Sequence, residues 1–193
     1  MRCKGTSFCS KCNLRKRVFS EKKILTSQKI KKHVYTMQKN CLKIEYSKAH
    51  FEDFSPQMQA LIEQAKQETA KAYAPYSRFS VGAAVLLADG NVICGSNQEN
   101  IAYPSGLCAE RTAMFYANAH YPDTPPIAIA IAARNEQGML PRPICPCGSC
   151  RQALLESEIR YKKKIEVILY GTQEIYLIDS IADMLPFAFV SLD

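Results

Sequence analysis

Residues 79–94, Phe79-Ser80-Val81-Gly82-Ala83-Ala84-Val85-Leu86-Leu87-Ala88-Asp89-Gly90-Asn91-Val92-Ile93-Cys94, are a short apolar run, an Asp-Gly turn and a second apolar run. Asp-Gly tolerates the positive φ that tight hairpins require, so the stretch predicts two adjacent strands, Phe79 to Leu87 and a second beginning at Val92. Upstream, Ser55 is a good N-cap and Pro56 suits the first helical position. Met58, Leu61, Ile62, Ala65, Thr69 and Ala72 then recur on one face, which predicts a core-facing helix running on to Pro75. Downstream, Cys108 to Ala119 predicts a second helix, Ile127 to Ala133 a buried strand, Cys147 to Ser157 a third helix and Ile165 to Tyr170 a further strand. A shorter strand at Ile175 to Ile178 and a helical turn around Ser180 to Leu185 complete the series. Helices recurring between strands imply a layered α/β sandwich.

The chain has 193 residues, 47% hydrophobic and 22% charged, enough for one ordinary globular domain without disulfide staples. Its longest apolar run, Ile127 to Ala133, is far short of the roughly 18 residues that cross a bilayer. The basic N-terminus also lacks the apolar stretch of a secretory signal peptide. These features predict a cytoplasmic protein whose nine cysteines are thiols or metal ligands rather than disulfides.

The formal net charge of +7 is unevenly spread. Residues 1–36 hold eleven Lys or Arg against the single acid Glu21, a balance of +10, and subtraction leaves −3 for the remainder. A mildly acidic body offers no continuous footprint for a phosphate backbone, so no specific nucleic-acid partner is expected. The two-part division is therefore a basic extension, 1–36, without defined structure, and a domain at 37–193 whose motifs begin at about residue 55. Met37 is a candidate translation start. Cys3, Cys9, Cys12 and His33 in the extension make only a poor zinc module, because the gap before His33 is long and hydrophobic support is missing.

The chemistry concentrates in Cys108-Ala109-Glu110 and Pro146-Cys147-Gly148-Ser149-Cys150, each at the start of a predicted helix. Unpaired amides and the helix dipole favour negative charge there, so three thiolates at Cys108, Cys147 and Cys150 form a credible Zn²⁺ site. Three protein ligands leave the fourth position open, as a catalytic zinc requires. Glu110, two residues from Cys108, is placed to move protons without binding the metal. This combination matches the general signature of zinc deaminases in its three-cysteine form. The competing reading is a non-catalytic zinc-stabilised interaction module with Glu110 solvated. A polynucleotide-editing deaminase is a second competitor, though such enzymes usually carry a His-x-Glu motif and a basic body.

With these motifs, and with Ala74-Pro75-Tyr76-Ser77-Arg78-Phe79, Val81-Gly82-Ala83-Ala84, Asn97-Gln98-Glu99-Asn100 and Cys108-Ala109-Glu110-Arg111 in order, the sequence from about Ser55 onward resembles the small homotetrameric cytidine deaminases. The resemblance implies a three-layer α/β/α sandwich around a mixed five-stranded sheet. It also implies zinc-dependent hydrolysis of cytidine and deoxycytidine to uridine and deoxyuridine with release of ammonia, in pyrimidine salvage. By the same resemblance Cys108, Cys147 and Cys150 hold zinc and Glu110 shuttles protons. Phe79 packs on the pyrimidine, Asn97 and Glu99 bind the ribose hydroxyls, the Ala109 amide meets the base carbonyl, and Arg111 bonds a ligand sulfur. Tyr103 and Phe189 reach a neighbouring subunit's site, with Phe187 an alternative to Phe189. Without the resemblance, Asn97 reads as a turn residue, Phe79 as a core aromatic and Arg111 as a solvated helix residue. Gln98 stands where an aliphatic residue is frequent, and Cys41, Cys94 and Cys145 have no assigned role.

Overall fold

The computed structural model describes residues 38–192, so the basic extension at 1–36 and Met37 lie outside the described residues. The body from Leu42 is compact in its own right. Its strands are β1 (Ser47–Ala49), β2 (Ser80–Leu87), β3 (Val92–Ser96), β4 (Pro126–Asn135), β5 (Gly138–Met139), β6 (Glu166–Tyr170) and β7 (Ile175–Ile178). Its helices are α1 (Pro56–Glu68), α2 (Ala109–His120) and α3 (Gly148–Tyr161). All strands join one mixed sheet in the order β1-β7-β6-β4-β2-β3, with β5 paired to the end of β4. Only β4 and β6 run parallel, which is the pairing that the intervening α3 crossover allows.

Five of these strands are the expected ones, and β1 and β5 extend the sheet beyond the five-stranded expectation. Both additions are short, and neither has the period-2 apolar pattern that marks a strand in sequence. The strand β1 borrows its order from β7, against which Ser47 to Ala49 register with Leu177 to Ile175.

Two apolar layers lie on opposite faces of the sheet, and alternation along the strands assigns them. Ala83, Val85, Leu87, Ile129 and Ile131 pack with Ala113, Met114 and Leu154 of α2 and α3. Ala84, Leu86, Ala128, Ala130 and Ala132 pack with Leu61, Ile62 and Ala65 of α1. The Ile-Ala alternation in β4 thus gives bulk to one face and lets α1 approach closely on the other. Burying Leu61, Ile62, Met114 and Ile131 fully is worth roughly 1.5–3 kcal/mol for each side chain.

The hydroxyl of Ser55 accepts from the Met58 amide at 3.4 Å, as its N-cap role requires. The helix stops earlier than Pro75, however, ending at Glu68 with a single 3-10 turn, Thr69–Lys71. Thr69 Oγ1 donates to the Lys66 carbonyl at 2.7 Å, and Tyr73 leaves helical geometry to bridge Gln98. Two glycines permit the close packing of helices on sheet. A Cβ at Gly82 would lie 2.1 Å from the Ala65 carbonyl oxygen, and one at Gly95 would lie 2.6 Å from the Ala113 nitrogen.

At the other end of the chain, α3 fastens the segment that follows β7. The buried carboxylate of Glu158 accepts from the amides of Ile165 and Ile181 at 2.8 and 2.9 Å, and from the Ser180 hydroxyl at 2.8 Å. Two turns earlier, Arg151 donates to the Met184 carbonyl at 2.8 Å. Next to it, Gln152 donates to the Phe189 carbonyl at 2.8 Å.

Candidate active site

Cys108 is the N-cap of α2 and Cys147 the N-cap of α3, both with extended backbone and neither spending its side chain on capping. Cys150 lies in the first turn of α3 and is buried. The two helices thus bring three sulfurs from separate parts of the chain within 4.8 Å of one another. Cys108 Sγ is 3.9 Å from Cys147 Sγ, which is 3.4 Å from Cys150 Sγ. Tetrahedral zinc with Zn–S bonds near 2.3 Å sets sulfurs about 3.8 Å apart, so the spacing fits that ion. The donor chemistry fits as well: Cys108 is pulled down to about 5 by a hydrogen bond from the Cys150 thiol, with Arg111 assisting. Cys150, the donor to that thiolate and itself partly desolvated, is pushed up in turn.

Glu110, in the first turn of α2, is 3% exposed. Burial and the neighbouring Cys108 raise its carboxyl above the ordinary carboxylate range. Arg111 directs one guanidinium nitrogen at Cys108 Sγ from 3.8 Å, while its buried Nε has no partner among the described residues. An orphaned cationic donor beside a sulfur cluster fits a cluster that carries net negative charge when metal is bound.

A cleft of about 520 Å³ opens at Cys108, with Asn97, Glu99, Tyr103 and Arg111 also in its walls, while Cys147, Cys150 and Glu110 do not line it. Asn97 is locked in place: its Oδ1 accepts from the Val81 amide at 2.7 Å and its Nδ2 donates to the Phe79 carbonyl at 3.0 Å. Glu99 Oε2 accepts from the amides of Tyr76 and Ser77 at 2.9 and 3.2 Å. The Ser77 hydroxyl, followed by these amides, holds Glu99 below the ordinary carboxylate range.

The comparisons with known proteins agree with this geometry. The family model described as "Cytidine and deoxycytidylate deaminase zinc-binding region" matches residues 55–164, more than half the chain. This chain belongs to that deaminase family. The cytidine deaminase of Halalkalibacterium halodurans is 43% identical over 136 residues, covering 70% of this chain and 96% of the relative. Among solved structures, cytidine deaminase from Burkholderia pseudomallei superposes with a TM-score of 0.58 at 44% identity, covering 67% of this chain and 97% of that one. Cytidine deaminase from Mycobacterium tuberculosis gives 0.55 at 32% identity, with 69% and 98% covered.

Within this deaminase the expected residues are not all in one place. Asn97, Glu99, Tyr103, Cys108 and Arg111 share the cleft wall, with Ala109 and Glu110 buried immediately behind Cys108. Phe79 is half-buried at the foot of β2 and is not among the lining residues. Tyr103 is 79% exposed and meets Tyr76 edge-on at 6.5 Å. Phe189 and Phe187 stand outside the cleft wall, both exposed, and Phe187 has a left-handed backbone with φ 58°. Tyr76 and Ser77 are wall residues to which sequence reading assigned no role. Their contribution is largely through backbone amides, which every non-proline residue has, so only the already quoted Tyr-Ser motif could have pointed to them.

Proposed function

We propose that the protein hydrolyses cytidine and deoxycytidine to uridine and deoxyuridine, releasing ammonia. The observation that carries this reading is the sulfur triad at two helix N-termini, with a buried carboxylate two residues from Cys108 and a cleft that Cys108 itself lines. Cys108, Cys147 and Cys150 would hold zinc, which when bound supplies a Lewis acid that lowers the pKa of a water. Glu110 takes a proton from the water attacking C4 and delivers it to N3 of the ring. A second transfer through Glu110 carries the proton of the new C4 hydroxyl to the exocyclic amine, which leaves as ammonia while C4 keeps the oxygen as a carbonyl. Burial raises the Glu110 carboxyl above the ordinary carboxylate range, which favours its giving back the proton it takes.

The Ala109 amide, in the first turn of α2 without an intrahelical acceptor, donates to the base carbonyl. Phe79 packs on the pyrimidine from the foot of β2. Asn97 and Glu99 receive the ribose hydroxyls, Glu99 through the oxygen that Tyr76 and Ser77 leave unused. Arg111 offsets the charge of three thiolates. Tyr103 and Phe189, exposed on one chain, are assigned to the neighbouring site in a homotetramer. A reducing cytoplasm suits the thiol ligands, and among the described residues no helix is long and apolar enough to cross a membrane.

A nucleoside fits the cleft better than a nucleotide or polynucleotide. Glu99 and the Cys108 sulfur bring negative charge to its wall, and Arg111, the one cation among the described lining residues, is directed at that sulfur, which leaves no second cation there to pair with a 5′-phosphate. Turnover of cytidine, deoxycytidine, their 5′-monophosphates and a cytosine-containing oligonucleotide by purified protein tests this directly. Activity confined to the free nucleosides is expected, and equal or better turnover of a phosphorylated substrate refutes it. Native light scattering tests the tetramer; a fully active monomer would require another source for the Tyr103 and Phe189 contacts.

A further inference from the structure

Arg151 follows the last of the three cysteines and has no place in the chemistry above, yet it makes the most directed contacts near them. Its own amide donates to the Cys147 carbonyl at 2.9 Å, in the ordinary helical pattern. Its side chain then turns back over the start of α3, and Nε donates to the Pro146 carbonyl at 2.8 Å. The carbonyls on both sides of the Cys147 Cα are thus held by one residue, Pro146's by the side chain and Cys147's by the backbone. Pro146 has no amide proton of its own with which to anchor this loop. The other arm of the guanidinium reaches the Met184 carbonyl at 2.8 Å, in the last turn of the segment that Glu158 pins at its opposite end through Ser180 and Ile181. Arg151 and Glu158 are seven residues apart and so share a face of α3. The C-terminal segment is tied along that face, and its far tie is the same group that holds the Pro146-Cys147 loop.

We propose that Arg151 is a positioning residue for the metal centre: its guanidinium, braced on the Met184 carbonyl, holds the Pro146-Cys147 loop so that Cys147 Sγ faces Cys108 and Cys150. Only a planar group with several donors in fixed geometry can serve both carbonyls at once. A lysine ammonium is a single point on a flexible stem and cannot. This rests on the reading of the three cysteines as zinc ligands.

The test uses the full chain with two metal readouts that do not depend on turnover: zinc release to a competing chelator, and the visible absorption of protein loaded with Co²⁺ in place of zinc. Arg151→Met and Arg151→Lys are both expected to weaken zinc retention, by about 10- to 100-fold as is usual when a group supporting a metal ligand is lost. Both are expected to alter the cobalt bands, which follow ligand geometry. Glu158→Gln loosens the same C-terminal segment without touching Pro146, and is expected to leave both readouts at wild-type values. Wild-type retention and spectra in the Arg151 variants overturn the proposal, as does a Glu158→Gln variant that loses metal as readily as Arg151→Met. If Arg151→Met does not fold, Arg151→Lys decides. Wild-type protein that takes up neither metal overturns the zinc reading and this proposal with it.

Discussion

Cys147 belongs to the sulfur cluster and Glu110 stands beside it, and substitution separates their roles. Glu110→Gln keeps the shape and burial of the side chain while removing its ability to take a proton. Zinc content should therefore stay near one per chain while turnover falls by at least roughly 10²- to 10⁴-fold. Cys147→Ala removes a ligand and should lose metal and rate together, and metal analysis alongside a deamination assay distinguishes the two. Glu99 supports a pH prediction. Its folded-state pKa is depressed, with the Ser77 hydroxyl the main cause and the Tyr76 and Ser77 amides adding to it. The benefit of its ionised form is therefore present above the ordinary carboxylate pKa of about 4.3 and is lost only as pH falls through the lower folded value. KM for cytidine should consequently show no Glu99-dependent rise between pH 8 and about 5. A KM that climbs with a midpoint in that interval in wild-type protein, and not in Glu99→Gln, would refute the arrangement.

Among the elements, α3 does two jobs, beginning at two of the sulfurs and ending in a buried carboxylate that fastens the chain's last segment. Glu158 accepts from two backbone amides and a hydroxyl in a site that is 8% exposed. Glu158→Ala leaves the Ile165 and Ile181 amides without their acceptor, at a cost of roughly 1–3 kcal/mol for each stranded group. Denaturant unfolding should show a total loss of about 2–6 kcal/mol, unlike a surface Glu→Ala change, which would stay within about 0.5 kcal/mol. The beginning of α2 depends on a different device. Gly95 in β3 lies so close under its first turns that any side chain there would collide with the backbone of Ala109 and Ala113. The proposed metal ligand Cys108 is thus held at its height above the sheet by the absence of a side chain in the strand that precedes it.

For the whole molecule, the charge division carries the prediction. The proposed catalytic residues all fall after Met37, and the +10 balance of residues 1–36 has no counterpart in the −3 remainder. A chain beginning at Met37 should keep its zinc, its assembly and its cytidine turnover, and bind polyanions more weakly at matched salt. A large loss of turnover with zinc retained would make the basic extension part of the working site. The local determinants of this fold were legible in order along the chain. An N-cap with Pro56 behind it, the Asp89-Gly90 turn, the alternation of Ile and Ala in β4 and the two cysteine motifs each state their structure through neighbours three or four residues away at most, because caps, turns and amphipathic periods are short-range. The end of α1, the added strand β1 and the fastening of the C-terminal segment were not legible, since each depends on a partner far along the sequence, whereas β5 folds back on the adjacent end of β4 and is too short, at 2 residues, to show a strand pattern. Tyr73 leaves the helix for Gln98, Ser47 to Ala49 find β7, and Met184 is met by Arg151. The same reason separates the site into two parts. Its reacting groups are side chains, whose chemistry is written in the residue types. The groups that aim them are backbone amides and carbonyls common to every position, and only the tertiary structure decides which of these come within hydrogen-bonding reach.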